Sequence, residues 1–210
     1  MCDARRDSFL LALIRLAVFG RPCSRQDSPC LDIQRPLSQA AIPGLWGAFL
    51  RVIPHRFRKR VHPQCPLSPE SANVPPTFAD VMKCTRAITV VYWNNHARVL
   101  LKNGGRVYII NPSTTQYCRG GNRCHLFTRT FPHISKRWPN HTFAYVDRKL
   151  MRPNSRDCSC AFQCIAILLM YFVLGESGAL TVPIPPTVYA FITRTLGCHF
   201  PPSLRKVSSS

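Results

Sequence analysis

Three residue types that together can carry out acyl transfer are spread from the middle of the chain onward: His96, Asn111 and Cys158. A thiolate attacks carbonyl carbon readily, and an imidazole can take and return the proton. A third polar group holds that imidazole in the useful tautomer. Cys158 follows Pro153-Asn154-Ser155-Arg156-Asp157, a turn-forming stretch with an N-cap candidate in Asp157, and precedes the apolar run IAILLMYFVL. This pattern predicts a long buried helix with Cys158 in its first turn, where backbone N–H groups and the helix dipole favour a thiolate. Cys160 and Cys164 fall deeper, among Ala161, Phe162 and Ile165, and read as small apolar packing residues. Zinc ligation is the rival chemistry, with Cys118, Cys124, His125, Cys158 and Cys160 as donors. Their spacing does not match the two-to-four-residue knuckles of structural zinc, so no metal is expected.

The elements that must position His96 and Asn111 are strands. AITVVYWNNHARVLL, residues 87–101, is rich in β-branched and aromatic residues and reads as one strand, and RVYIINP, residues 106–112, as the next. Asn103-Gly104 between them is a strong hairpin signal. With those two as the loop, Lys102 pairs with Gly105 and Leu101 with Arg106, and following the register outward sets His96 opposite Asn111. Directly opposed side chains have Cβ atoms about 5 Å apart, within reach of a hydrogen bond. A loop at Gly104-Gly105 would instead set His96 opposite Ser113. HTFAYVDRKLMR, residues 141–152, reads as a further strand. The cysteine-bearing helix should stop at Gly175. VPIPP then links to TVYAFITRTLG, a helix closed by Gly197. Strands and helices in this order predict an α+β domain over residues 77–210. Residues 1–76 are expected to form an N-terminal helix and a Pro-rich basic arm, partly irregular, since Pro22, Pro29, Pro36, Pro43 and Pro54 interrupt it.

Lys and Arg number 28 against 9 Asp and Glu, a formal charge of +19, while 46% of residues are hydrophobic. That content supports a real core and excludes global disorder. The charge implies a polyanionic partner, with DNA bound independently of sequence as the first choice. Arg56, Arg58, Lys59 and Arg60 in HRFRKR, with Lys136 and Arg137, are the candidate nucleic-acid contacts. Eleven cysteines, an odd number without a small-domain framework, point to reduced thiols. The first twenty residues imitate a signal peptide, but Arg15 interrupts the apolar stretch and no A-x-A-like site precedes Arg21-Pro22. Phe9, Leu10, Leu13, Leu16 and Ala17 share one helical face, so an amphipathic helix is expected there. The run from Ile165 to Leu174 is shorter than the ~20 residues a bilayer span needs, so no stable membrane insertion is expected.

Taken in order, these segments resemble the adenovirus-type cysteine endopeptidases (adenain) and their wider SUMO-protease-like clan. Pro153, Asn154, Ser155 and Cys158 are similar to the family's PNS-x-x-C, and FQCIAILLMYF resembles its nucleophile helix. VYAFITRTLGCHF, residues 188–200, resembles a late LYSFLxR…F segment. The likeness covers about residues 85–200. It implies a papain- or SUMO-protease-like mixed β-sheet around a buried central helix that carries the nucleophile at its N-terminus. Cys158 would be the nucleophile, His96 the general base and Asn111 the orienter of His96. It implies viral precursor polypeptides as substrates, DNA and a short basic activating peptide as stimulators with no other cofactor, and the host nucleus and virion as location. Several positions depart from the pattern. Asn111 replaces a carboxylate, Ser159 a glycine, and Ala97 the aromatic that often follows the histidine. Arg152 and Met151 stand where an oxyanion-hole glutamine belongs, leaving Arg152 as a cationic substitute. Moving the frame to make Cys160 the nucleophile puts Pro153 at the glutamine position. The departures also suit a catalytically inactive relative that binds DNA, or an unrelated basic viral accessory protein.

Overall fold

β-branched and aromatic residues build four strands, β1 (Arg86–Trp93), β2 (His96–Asn103), β3 (Arg106–Asn111) and β4 (Thr142–Asp147). In the computed structural model, which describes residues 12, 14, 42–59, 61, 76–93, 96–112, 132–148 and 160–197, they form one sheet in the order β1-β2-β3-β4. The first three make an antiparallel meander and β4 joins β3 in parallel. The fold is thus α+β with a mixed sheet, as the sequence predicted.

Two expectations about the strands are corrected. The run 87–101 is two strands, not one: Trp93 pairs with His96, leaving Asn94-Asn95 between them. Asn tolerates the positive φ of tight hairpin loops better than other side-chain-bearing residues, so Asn-Asn is itself a turn signal. The second correction concerns register. Asn103 pairs with Arg106, Leu101 with Tyr108, Leu100 with Ile109 and Val99 with Ile110, so the loop is Gly104-Gly105. Gly104 takes φ 59°, matching the demand for glycine at the first position of a type II′ loop. The expected register would have set Leu101 against Arg106 and Arg98 against Ile109. The observed one opposes apolar to apolar, and cross-strand pairs of that kind decide the alignment.

Alternation along the strands feeds two cores. On one face, Ile88, Val90, Val99, Leu101 and Ile110 pack against α1 (Ile42–Val52), α4 (Cys160–Leu180) and α5 (Pro186–Gly197). On the other, Val91, Leu100, Val107, Ile109 and Phe143 meet Phe78, Val81 and Met82 of α3 (Pro76–Lys83) and Ile134 of a helical turn at 132–137. The short α2 (His55–Arg58) anchors through Phe57, whose ring stacks 4.7 Å from that of Phe172.

α1 falls inside the stretch expected to be a partly irregular arm. Leu45, Trp46, Ala48 and Phe49 are nonetheless buried in the same cluster as α4 and the sheet. Pro43 sits in the first turn, where a missing N–H costs nothing, and Pro54 follows the helix end. The prolines bracket this helix instead of breaking it. Burying a side chain such as Phe49 contributes about 2–3 kcal/mol. Val61 adds a parallel bridge to Ile88 at the β1 edge. Of the N-terminal helix, Ile14 is buried in this core and Ala12 is exposed. Phe9, Leu10, Leu13, Leu16 and Ala17, its expected apolar face, lie outside the described residues.

α4 is apolar all round, as befits a helix enclosed by its own protein. Its length and composition would suit a bilayer span, but Phe162, Ile165, Leu168, Leu169 and Phe172 are buried against protein. It breaks where the sequence predicted: Gly175 has φ 68° and ψ −153°, and a shorter helical piece continues to Leu180.

Candidate functional site

α4 starts where β2 starts. The backbone N–H of Ala97 donates to the Cys160 sulfur at 3.3 Å, joining the first residue of the buried helix to the residue after His96. Cys160, not Cys158, is thus the first described residue of the helix. Cys158 and Ser159 lie outside the described residues, as do Arg152 and Arg60.

Burial raises the pKa of the Cys160 thiol. The Ala97 N–H, the positive charge of Arg98 and the N–H groups of the first helical turn oppose that rise without overcoming it. Cys164, fully buried one turn on, is raised well above its ordinary value for the same reason. Both thiols stay protonated near neutral pH, which agrees with packing roles. Cys84, Cys160 and Cys164 are free cysteines.

The β2–β3 register, continued outward, sets Arg98 across from Asn111. His96 is therefore not directly opposite Asn111, as expected from the sequence. It stands two residues along β2, on the same sheet face, as a diagonal neighbour. Diagonal pairs lie about 7–8 Å apart, still within reach of long or aromatic side chains. The cause is the shift of the loop to Gly104-Gly105 described above. Arg98 and Asn111 are both buried.

Sequence reasoning missed Asp147. The parallel β3–β4 register pairs Asn111 with Asp147, and Asn111 Nδ2 donates to Asp147 Oδ1 at 3.1 Å. The next residue, Arg148, donates its backbone N–H to the Asn111 carbonyl at 2.9 Å. The strand TFAYVD was legible, but nothing local reveals that its last residue lies beside Asn111 across a parallel ladder. Arg98 escaped for a similar reason. A charged residue in a β-rich run reads as solvent-facing until the second core is seen.

The basic candidates divide. Arg56, Arg58 and Lys59 are exposed at α2. The Arg56 guanidinium lies 4.9 Å from the centre of the Phe57 ring, and Arg58 donates to the Ile53 carbonyl at 3.1 Å. Lys136 and Arg137 are exposed at the 132–137 turn, with Arg137 stacked over Trp138 at 5.1 Å. Phe57 belongs to the core on the α4 face, and Ile134 to the core on the opposite face. The two basic groups are therefore attached to opposite faces of the sheet and do not form one patch. Among the described residues, no group of three or more His, Cys, Asp or Glu side chains is placed to hold a metal ion.

In chain path the protein is similar to a solved structure of SUMO protease Ulp1 with the catalytic cysteine oxidized to a sulfenic acid. The TM-score is 0.44 and the identity 10%, over 93% of each chain. At that score and identity the likeness bears on neither chemistry nor substrate. No protein-family model matches the chain, and no curated protein matches it.

Proposed function

We propose that the protein is a viral cysteine endopeptidase that cleaves virion precursor polypeptides during particle maturation. The observation that carries this reading is the contact between the first residue of α4 and Ala97, next to His96, at the end of the sheet where β3 finishes in Asn111. Cys158, two residues before α4 and preceded by Pro153-Asn154-Ser155, is the thiol assigned to nucleophilic attack.

The Cys158 thiol gives its proton to His96, and the sulfur bonds to the peptide carbonyl carbon. The C–N bond breaks as His96 returns the proton to the leaving amine, and water then hydrolyses the thioester. Arg152 serves the developing oxyanion in place of an amide donor. The charge of +19 supports stimulation by DNA through phosphate contacts, in the host nucleus and in the virion. A short basic peptide is a second expected stimulator. Because the basic groups sit on both faces of the sheet, the DNA footprint is expected to be wide.

The test is iodoacetamide labelling with DNA present, followed by mapping of the modified cysteine. Selective modification of Cys158, lost in His96→Ala, is the expected result. Uniform slow labelling, or labelling centred on Cys160, overturns the assignment. One observation favours a second reading, an inactive relative that binds DNA: Arg152 and Asn111 stand where an amide donor and a carboxylate would be expected. That reading predicts tight, salt-sensitive DNA binding with no cleavage of any precursor polypeptide.

A further inference from the structure

Asn111 is a weak orienter for a histidine base on two counts. It carries no charge, and its two ends are chemically opposite. Presenting its oxygen to the imidazole favours the tautomer with a proton on the facing nitrogen. Presenting its NH₂ favours the other tautomer. A general base needs the first arrangement, with the far nitrogen left to take the thiol proton.

The structure holds the group that chooses between them. An ionised carboxylate only accepts hydrogen bonds. Asp147 Oδ1 lies 3.1 Å from Asn111 Nδ2, so the Asn111 amide must turn its NH₂ toward Asp147. Its oxygen is then the end it can offer to an imidazole N–H. The placement is built in, because the β3–β4 register pairs the two residues directly and the Arg148 N–H bond to the Asn111 carbonyl extends the ladder past the strand end.

We propose that Asp147 is a positioning residue of this site, which fixes the orientation of the Asn111 amide and through it the tautomer of His96. The inference rests on the assignment of His96 and Asn111 under the proposed function. It supplies the negative charge that position 111 lacks, one hydrogen bond further out. Other charged or titratable groups also surround this end of the sheet: Arg98 on β2, the Cys160 thiol on α4, and Tyr145 and Arg148 flanking Asp147. Arg98 opposes the effect of Asp147 on an imidazolium. Arg148 directs its guanidinium to the carbonyls of Gly178, Ala179 and Val182, away from Asp147.

The test is ¹⁵N and ¹H NMR of the histidine rings in full-length protein, with the His96 signals assigned by their loss in His96→Gln. In the parent protein one tautomer should dominate. In Asp147→Asn, which keeps the size of the side chain but can donate as well as accept, the ring nitrogen shifts should move toward a tautomer mixture. The His96 pKa should also fall, because the nearby carboxylate charge is lost. Asp147→Glu should restore both signatures, and Asp80→Asn, a distant carboxylate in an ion pair with Lys83, should move neither. An unchanged His96 tautomer and pKa in Asp147→Asn overturn the proposal, as does an equal change in Asp80→Asn. The NMR result is independent of cleavage. A protein that cleaves nothing but whose His96 responds to Asp147 keeps this inference and loses the hydrolase reading. A protein that cleaves normally with an indifferent His96 does the reverse.

Discussion

The two ends of α4 are finished in opposite ways. At the C-terminal end the chain turns at Gly175 and doubles back so closely that a Cβ on Gly178 would lie 2.5 Å from the Met170 carbonyl oxygen. The buried Arg148 side chain then closes that end by donating to the Gly178, Ala179 and Val182 carbonyls. A cation on the last carbonyls satisfies orphan acceptors and the negative end of the helix dipole together. At the N-terminal end, the hydrogen bond among the described residues that ties the first residue to the sheet runs from the Ala97 N–H to the Cys160 sulfur. The C-terminal end is closed by a buried cation on three carbonyls. The N-terminal end packs through Ala161, Phe162 and Ile165, has a soft, polarisable atom as its polar tie, and borders the candidate chemistry.

Breaking the C-terminal clamp should have the largest effect. Arg148→Met leaves buried carbonyls without donors, each costing about 1–3 kcal/mol. A loss of about 3 kcal/mol or more is expected, read as a lowered urea midpoint. Gly178→Ala comes next. Its methyl group meets the Met170 carbonyl and the Leu174 Cβ, backbone and helix atoms that yield poorly, and should cost about 2 kcal/mol in the same assay. At the other end, Cys160→Ala removes only the acceptor of the Ala97 N–H. It should cost about 1 kcal/mol and leave Cys158 labelling unchanged. If Cys160→Ala proves more damaging than Arg148→Met, the contrast between the ends is wrong.

The smallest effect is a pH dependence. Cys160 and Cys164 have raised pKa values in the folded state through burial, against about 8.5 for a free thiol. Above that pH the unfolded chain releases thiol protons that the folded chain retains. The stability contributed by the raised values is fully present below pH 8.5 and is lost as pH rises beyond it. Denaturation midpoints should fall between pH 8.5 and 10, less steeply in Cys164→Ala. Arg148 does not reverse this within the window, because burial lowers its pKa only to about 10.

What could be read from the sequence follows the same division. The helix stop at Gly175, the last helix closed by Gly197 and the core-packing roles of Cys160 and Cys164 all rest on local chemistry, and all agree with the structure. The strand ends were harder. Asn103-Gly104 and Gly104-Gly105 are both acceptable loops, and the choice depended on which side chains Leu101 and Arg98 would face. Asn94-Asn95 hid a second hairpin inside what read as one strand. Asp147 could not be found locally at all, since its meeting with Asn111 depends on a parallel ladder across a long connection. The proline-rich look of the N-terminal part concealed α1, whose apolar LWGAFL face outweighs the prolines around it.

The parallel attachment of β4 also sets an order of assembly. The β1–β2–β3 meander needs only short-range pairings and can form once Asn111 has left the ribosome. The Asn111–Asp147 bond spans 36 residues and the Ala97–Cys160 contact 63. Contacts of such separation close late. During synthesis, the His96 end of β2 and the cysteines that open α4 thus stay apart until most of the domain exists. A nascent or truncated chain would carry both groups without the geometry that could make them act together.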